Sequence, residues 1–247
     1  MKPVVLSRRL QAVADMVTRA NRVCDVGCDH GFVSIYLVEQ GISPKVLAMD
    51  VRKGPLSAAA EHVAERGLGS QIETRLSDGL HNYDIGEADT LICAGMGGRL
   101  MMRILSEDWD KTGSFQEMIL QPQSDIESFR RFLYEQGYHI AEENMIEEDG
   151  KFYPMMRVVK ADALQELSDP AKVPDPLVCR YGPLLLKEQS QVLLSFLKRE
   201  ERIYGEILES LRTQGLSEEK RQARFAQVER LMEECRIAIA MIVNKES

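Results

Sequence analysis

The feature that most constrains this chain is an alternation. Short β-branched apolar runs end in turns bearing glycine or acid, and most of these lead into a segment whose apolar residues recur at helical spacing. VCDVG at 23–27 passes through a turn into FVSIYLVEQG, stopped by Gly41, and KVLAMDV at 45–51 leads to PLSAAAEHVAERG. QIETRL at 71–76 precedes Ser77-Asp78-Gly79, ADTLICAGMGG at 88–98 precedes RLMMRILSE, and EMILQPQ at 117–123 precedes DIESFRRFLYEQG, ended by Gly137. Five βα units in a row predict a doubly wound α/β sheet, because parallel strands need crossover connections and helices supply them. Two alternating runs within 139–161 flank Asp149-Gly150, a dipeptide suited to a tight hairpin. The sheet is therefore expected to be mostly parallel, with an antiparallel last strand.

The two ends carry other patterns. In LSRRLQAVADMV, Leu6, Leu10, Val13 and Val17 share a helical stripe, which predicts an amphipathic N-terminal helix with Arg8 and Arg9 on another face. A proline-marked stretch at 168–183 reads as a linker. Beyond it the chain is strongly helical to Gly215, and Ser217 followed by Glu218 and Glu219 predicts the N-cap and acidic first turn of a second long helix. There Phe225, Val228, Met232, Cys235, Ile239 and Ile242 alternate steps of three and four, the seam of a coiled coil. The expected organisation is an α/β domain over 1–167, the linker, and a helical hairpin over 184–247; pairing of the seam with a partner chain is the alternative, and a monomer is expected.

Composition narrows the class. With 247 residues, 44% apolar and 28% charged, the chain can bury a sizeable core and is neither disordered nor collagen-like. No apolar run reaches the roughly 18 residues of a membrane span, and the charged N-terminus lacks a signal peptide's apolar stretch, so a cytoplasmic protein is expected. Cys24, Cys28, Cys93, Cys179 and Cys235 form no CxxC pair, which favours reduced thiols, and no metal is expected. The net charge of -8 is uneven: Lys2, Arg8, Arg9, Arg19 and Arg22 face only Asp15 among the first 22 residues, and the acid is concentrated in the middle of the chain. That asymmetry permits a basic docking face for a polyanion, with ordinary solvated surface as the alternative.

In an open α/β sheet a ligand binds outside the carboxyl ends of the strands, so chemistry is sought in the loops after strands one to four. The first loop, Asp25-Val26-Gly27-Cys28-Asp29-His30-Gly31, lets backbone approach a ligand at Gly27 and Gly31. It is neither G-x-G-x-x-G nor a P-loop. Asp50 ends the second strand, placed to accept hydrogen bonds from ribose hydroxyls, with Val51 beside it. Ser77-Asp78-Gly79 offers a carboxylate to the exocyclic amine of an adenine. Three acids ending three successive strands suit a cationic adenosine ligand and repel a pyrophosphate, which points to S-adenosyl-L-methionine rather than NAD. Taken singly, each acid is equally readable as a loop cap.

These residues resemble a known family. The Asp-x-Gly-x-x-x-Gly loop, Asp50 and Ser77-Asp78-Gly79 look like a class I S-adenosylmethionine-dependent methyltransferase with its Rossmann-like sheet. RRLQAVADMV, CDVGCDHGFVSIYL, MDVRKGPLSAA, LSDGL, ICAGMGGRLM, LQPQ and EDGKFYPMMRV, followed by a helical hairpin, resemble more narrowly the bacterial tRNA adenine-N1 methyltransferases acting on position 22, the TrmK family, over essentially the whole chain. The resemblance implies that Asp25, Gly27 and Gly31, with His30 adjacent, line the methionine part of the cofactor, Asp50 the ribose, and Asp78 with Gly79 the adenine; Val51, Ser77 and Ala94 are further cofactor-binding candidates. A structural role for His30 stays open. Asp29 departs from the glycine common at that position, and is either a catalytic carboxylate near the transferred methyl or a cap on the following helix.

Many exocyclic-amine methyltransferases carry Asn/Asp-Pro-Pro-aromatic after strand four, whereas this chain has Cys93-Ala94-Gly95-Met96-Gly97-Gly98. A ring nitrogen is the better-supported acceptor, with Gly95, Met96, Gly97 and Gly98 giving backbone access for the base and Arg8 and Arg9 gripping tRNA. The alternatives are a small-molecule or protein methyltransferase, favoured by the acidic middle segment, and a non-catalytic cofactor-binding adaptor.

Overall fold

Aliphatic, β-branched runs form seven strands of one sheet: β1 (Val23–Val26), β2 (Val46–Asp50), β3 (Ile72–Leu76), β4 (Thr90–Met96), β5 (Glu117–Pro122), β6 (Tyr138–Glu148) and β7 (Lys151–Lys160). The computed structural model describes residues 3–160, 173–213 and 218–244. The chain divides into two units, Met1–Val173 and Pro174–Ser247.

Strand order is β3-β2-β1-β4-β5-β7-β6. β1 pairs in parallel with both β2 and β4, and β4 with β5, while β7 runs antiparallel to β5 and to β6. β1, β2 and β5 are buried along their whole length, as expected of strands covered on both faces. The β6–β7 turn is the two-residue one expected: Glu148 pairs with Lys151, and Asp149 and Gly150 take φ of 51° and 69°, the left-handed pair that matches strand twist.

The helices of this unit are α1 (Arg8–Asp15), α2 (Phe32–Glu39), α3 (Lys53–Glu65), α4 (Gly98–Glu107), α5 (Trp109–Thr112) and α6 (Ile126–Glu135). One expectation fails here. The third unit has no helix, because residues 77–89 form turns held from within: the Ser77 hydroxyl accepts from the Asn82 N–H at 3.1 Å and donates to the Gly79 carbonyl at 2.9 Å. Leu80 and Tyr83 bury this loop.

The second unit comprises α7 (Pro176–Tyr181), α8 (Pro183–Lys187), α9 (Gln191–Thr213) and α10 (Glu218–Val243). Residues 168–172 of the expected linker lie outside the described residues, as do Gly215 and Ser217. The rest of that linker is not extended: the Asp175 carboxylate accepts from the Leu177 N–H at 2.8 Å and Pro176 presets the first turn, which makes α7 a capped helix. The helix expected from residue 184 is broken between α8 and α9, where Gln189 takes φ of 55°. α9 and α10 bury Leu193, Leu197 and Leu211 together with Val228, Cys235, Ala238 and Ile242; of the predicted seam Val228, Cys235 and Ile242 are buried and Phe225, Met232 and Ile239 half-buried, with Ala238 taking the more enclosed place beside Ile239. Arg236 Nε donates to Glu201 Oε1 at 2.8 Å along its edge.

Close packing of α4 against the β5–α6 loop fixes the end of β4. A methyl group on Gly98 would lie 2.5 Å from the Ser124 carbonyl oxygen, and the Gly98 N–H donates to that oxygen at 3.0 Å. Gly98→Ala is expected to lower stability by about 1–3 kcal/mol through overpacking. Urea or thermal unfolding checks this, and a variant as stable as the parent would show that the loop yields freely.

Candidate active site

Between β1 and β4 the strand order reverses, and the crevice outside their carboxyl ends opens into a cavity of about 560 Å³. The expected residues Asp25, Gly27, Asp29, His30, Asp50, Val51, Ser77, Asp78, Gly79, Ala94, Gly95, Met96 and Arg9 all line it. Gly31, Gly97, Gly98 and Arg8 do not. Gly31 precedes α2 and packs against Ala59 of α3, while Gly97 and Gly98 pack against Ser124. Arg8 turns to β6, where its backbone N–H donates to Glu148 Oε1 at 2.7 Å.

Asp50 organises the acidic side. Its carboxylate, only 4% exposed, accepts from the Asp29 N–H at 3.2 Å and the Arg52 N–H at 2.8 Å, tying the loops after β1 and β2 together. Asp25 is equally buried and accepts from the Ser34 hydroxyl at 2.7 Å. Burial pushes its carboxyl up to about 6; the Ser34 hydrogen bond opposes this, and the neighbouring Asp50 charge adds to it. Burial also raises the thiols, Cys93 to about 12 and Cys28 further, which leaves both uncharged at neutral pH and unsuited to act as nucleophiles or metal ligands. Among the described residues no group of three or more His, Cys, Asp or Glu could hold a metal ion.

Asp29 sits at φ 50° with its side chain 58% exposed to the cavity side, 3.4 Å from Arg52 Nη2. It does not cap α2: the N-cap is Gly31, with no side-chain cap hydrogen bond. The capping alternative therefore fails on geometry.

The opposite wall is built by α1 and the loop after β4. The β4–β5 register shifts between Ala94 and Met96, so Gly95 is an extra residue, a bulge at φ 79°. Its N–H donates at 3.1 Å to Oε1 of the fully buried Gln121, which also accepts from Arg9 Nη1 at 2.8 Å. Two donors on one atom fix the orientation of that amide. The Arg9 guanidinium lies 5.3 Å from the Tyr153 ring centre, so the cation is held beside the bulge by two contacts, the Gln121 amide and the Tyr153 ring.

Several functional-site residues were not singled out by sequence reasoning. Gln121 and Gln123 sit in LQPQ, Arg103 binds Asp78 from α4, and Phe32 and Arg52 stand at the rim. Arg103 Nη2 donates to Asp78 Oδ1 at 3.0 Å and Nη1 reaches Oδ2 at 3.4 Å; this pair holds the Asp78 carboxyl below its usual range. The Arg103–Asp78 pair joins residues 25 apart and the Gly95–Gln121 pair residues 26 apart, which no local pattern reveals.

Fold and site together define a methyltransferase domain, and the family model described as a methyltransferase domain matches residues 6–156. The tRNA (adenine(22)-N(1))-methyltransferase of Bacillus subtilis (strain 168) is 33% identical over 218 residues, covering 87% of this chain and 90% of that protein. The crystal structure of the B. subtilis M1A22 tRNA methyltransferase TrmK superposes with a TM-score of 0.81 at 31% identity, covering 96% of this chain and 99% of that one. Streptococcus pneumoniae Sp1610 in complex with S-adenosyl-L-methionine gives a TM-score of 0.80 at 30% identity, over 95% of this chain and all of that one. The chain belongs to the tRNA (adenine(22)-N(1))-methyltransferase family. It is an enzyme, a tRNA methyltransferase, and S-adenosyl-L-methionine is its cofactor. The cavity fits that molecule, since two buried carboxylates, one of them destabilised by its own burial, suit a ligand bearing positive charge.

The raised Asp25 carboxyl has a measurable signature. From about pH 4 to about pH 6 the folded chain holds a proton at Asp25 that the unfolded chain has released, so stability falls as pH rises across that window. Asp25→Asn is expected to lack this fall, which amounts to about 3 kcal/mol. Urea unfolding at pH 4 and 7 of both proteins checks it; parallel pH profiles would refute the raised carboxyl.

Proposed function

We propose that this enzyme methylates N1 of adenine 22 in tRNA, acting as a cytoplasmic monomer. The observation that carries this reading is the meeting, in one cavity, of the strand-end acids with the glycine bulge at the end of β4, which presents backbone rather than a polar side chain to an incoming base. When bound, the cofactor supplies an electrophilic methyl group on a sulfonium. Asp50 and Val51 hold the ribose, Ser77, Asp78, Gly79 and Ala94 the adenine of the cofactor, and Asp25 and Gly27 the methionine end. Arg103 keeps Asp78 ionised while leaving lone pairs on its oxygens for the amine.

Adenine N1 already carries a lone pair, so the chain has to supply alignment rather than a strong base before transfer. The methylated ring gains positive charge. Asp29, with its backbone anchored on Asp50 and its carboxylate facing the cavity, stabilises that charge or takes the proton the ring sheds. Gly95 and Met96 flank the base, and Arg9 provides a fixed cation for the RNA backbone. The monomer reading is supported by the burial of Val228, Cys235, Ala238 and Ile242 within one chain, while Ile237, Met241 and Val243 of α10 stay exposed. No helix of the described residues is long and apolar enough to cross a membrane.

Transfer of labelled methyl to tRNA, with 1-methyladenosine identified at position 22, is the direct test; label in another nucleotide, or none, overturns the reading. Asp29→Asn is the informative variant, because Asn tolerates the left-handed backbone that Ala does not. It is expected to slow single-turnover transfer by about 10²- to 10⁴-fold, with cofactor affinity and melting temperature little changed. A normal rate would remove Asp29 from the chemistry.

The second unit has its own buried seam, and we assign it to tRNA binding. A protein ending at Val173 is expected to stay folded and bind cofactor but to methylate tRNA poorly. The intact protein's tRNA affinity is expected to fall steeply with salt as Lys and Arg contacts are screened. Full activity of the shortened form, or a salt-insensitive affinity, contradicts this arrangement.

A further inference from the structure

At the rim of the cavity three aromatic rings form a continuous surface that cofactor binding leaves unexplained. Phe32, the first residue of α2, is 42% exposed, although Val33, Ser34 and Ile35 after it are buried. Its ring lies 5.1 Å from that of His62 at 23° and 5.9 Å from that of His30 at 29°, an offset, near-parallel arrangement. A single exposed phenylalanine needs no explanation. Three adjoining rings, two of them lining the site of an RNA-modifying enzyme, do.

The rings are held in place. His62 Nδ1 lies 3.0 Å from the His30 carbonyl oxygen, which can only accept, so Nδ1 carries the hydrogen and the His62 ring is oriented by the backbone of the first loop. The His30 side chain is 48% exposed. His30 Nε2 and Arg52 Nη2 share the Asp29 carboxylate at 3.9 and 3.4 Å; the exposed Arg52 side chain also lies 3.6 Å from Asp50, and Lys53, likewise exposed, follows it. Flat π-faces next to exposed cations have the chemistry of a single-stranded nucleotide site, in which a base stacks on the rings while a phosphate meets the cations.

We infer that Phe32, backed by His30 and His62, is a stacking platform for the nucleobase of a nucleotide next to the target adenosine, with Arg52 and Lys53 meeting its phosphate. The inference rests on the tRNA reading above and adds a second nucleotide subsite to it. The platform recognises any base by its face, so it steadies the splayed RNA without reading sequence.

The test uses the full chain loaded with S-adenosylhomocysteine and unmodified tRNA, and measures tRNA affinity and S-adenosylhomocysteine affinity separately. Phe32→Ala is expected to weaken tRNA binding about 10-fold or more, the usual cost of losing one stacked base, whereas Phe32→Trp holds it within about 3-fold. Cofactor affinity is expected to stay within about 2-fold in both. A tRNA with an abasic nucleotide beside the target should reproduce the loss, and combining it with Phe32→Ala should add little further. Unchanged tRNA affinity in Phe32→Ala overturns the platform, as does additive loss with the abasic tRNA at every neighbouring position. A loss of cofactor affinity alone also overturns it and places Phe32 in the cofactor pocket. Failure of the tRNA reading itself is recognised separately, by parent protein that forms no 1-methyladenosine in tRNA.

Discussion

The parallel pairing of β1 with β2 on one side and β4 on the other is the constraint on which the rest of the structure depends. The chain leaves β1 toward β2 and β3, and β4 toward β5, so the loops after these strands diverge and leave an opening that no side chain has to create. Everything in the cavity hangs from that divergence. Asp50 spans the loops after β1 and β2 through two backbone N–H groups, and Gln121 spans α1 and the loop after β4 through Arg9 and Gly95. Each wall is thus fixed by one buried acceptor that serves two donors.

The two walls differ in charge, and the difference follows from how each is paired. On the acidic side Asp50 accepts from two backbone N–H groups with Arg52 Nε 3.6 Å away, and Asp78 is paired with Arg103, while Asp25 has one hydroxyl and its carboxyl is raised by desolvation. On the other side the Arg9 cation rests against a neutral amide and an aromatic face. Among the described residues Asp25 meets a hydroxyl rather than a cation, and Arg9 an amide rather than a carboxylate, so the cavity keeps an acidic pole at Asp25 and a basic pole at Arg9. A cationic cofactor and a polyanionic RNA place opposite demands on one site, and separated poles can meet both.

The sequence made much of this legible because the relevant signals are local. Strand-ending acids at 25, 50 and 78, the glycines at 27, 79 and 95, and the Asp149-Gly150 turn are each defined by a few consecutive residues. What escaped depends on distance or competition. That Arg103 from α4 pairs with Asp78, 25 residues away, could not be read from the residues around either. Arg8 and Arg9 looked equivalent, yet one helical step sends Arg8 to β6 and Arg9 to the cavity. Gly98 read as access for a substrate, yet it gives α4 room beside Ser124. The missing third helix and the break before α9 were obscured by apolar spacing that turns at 77–89 and around Gln189 override.

Asp29 shows why a residue that breaks a family pattern repays structural attention. Its left-handed backbone carries a cost for a residue with a side chain, and glycine would adopt that conformation without it. The side chain returns little to stability: it caps no helix, and its ion pair with Arg52 at 3.4 Å is exposed and so weak. The backbone N–H that bonds Asp50 is one glycine would supply equally well. Folding therefore gives no reason for a carboxylate at this position, and what remains is its place, facing the cavity between the acidic wall and the bulge at Gly95. The role proposed for Asp29, meeting charge that develops on the methylated base, is one that would account for a group that burdens the fold and lines the cavity.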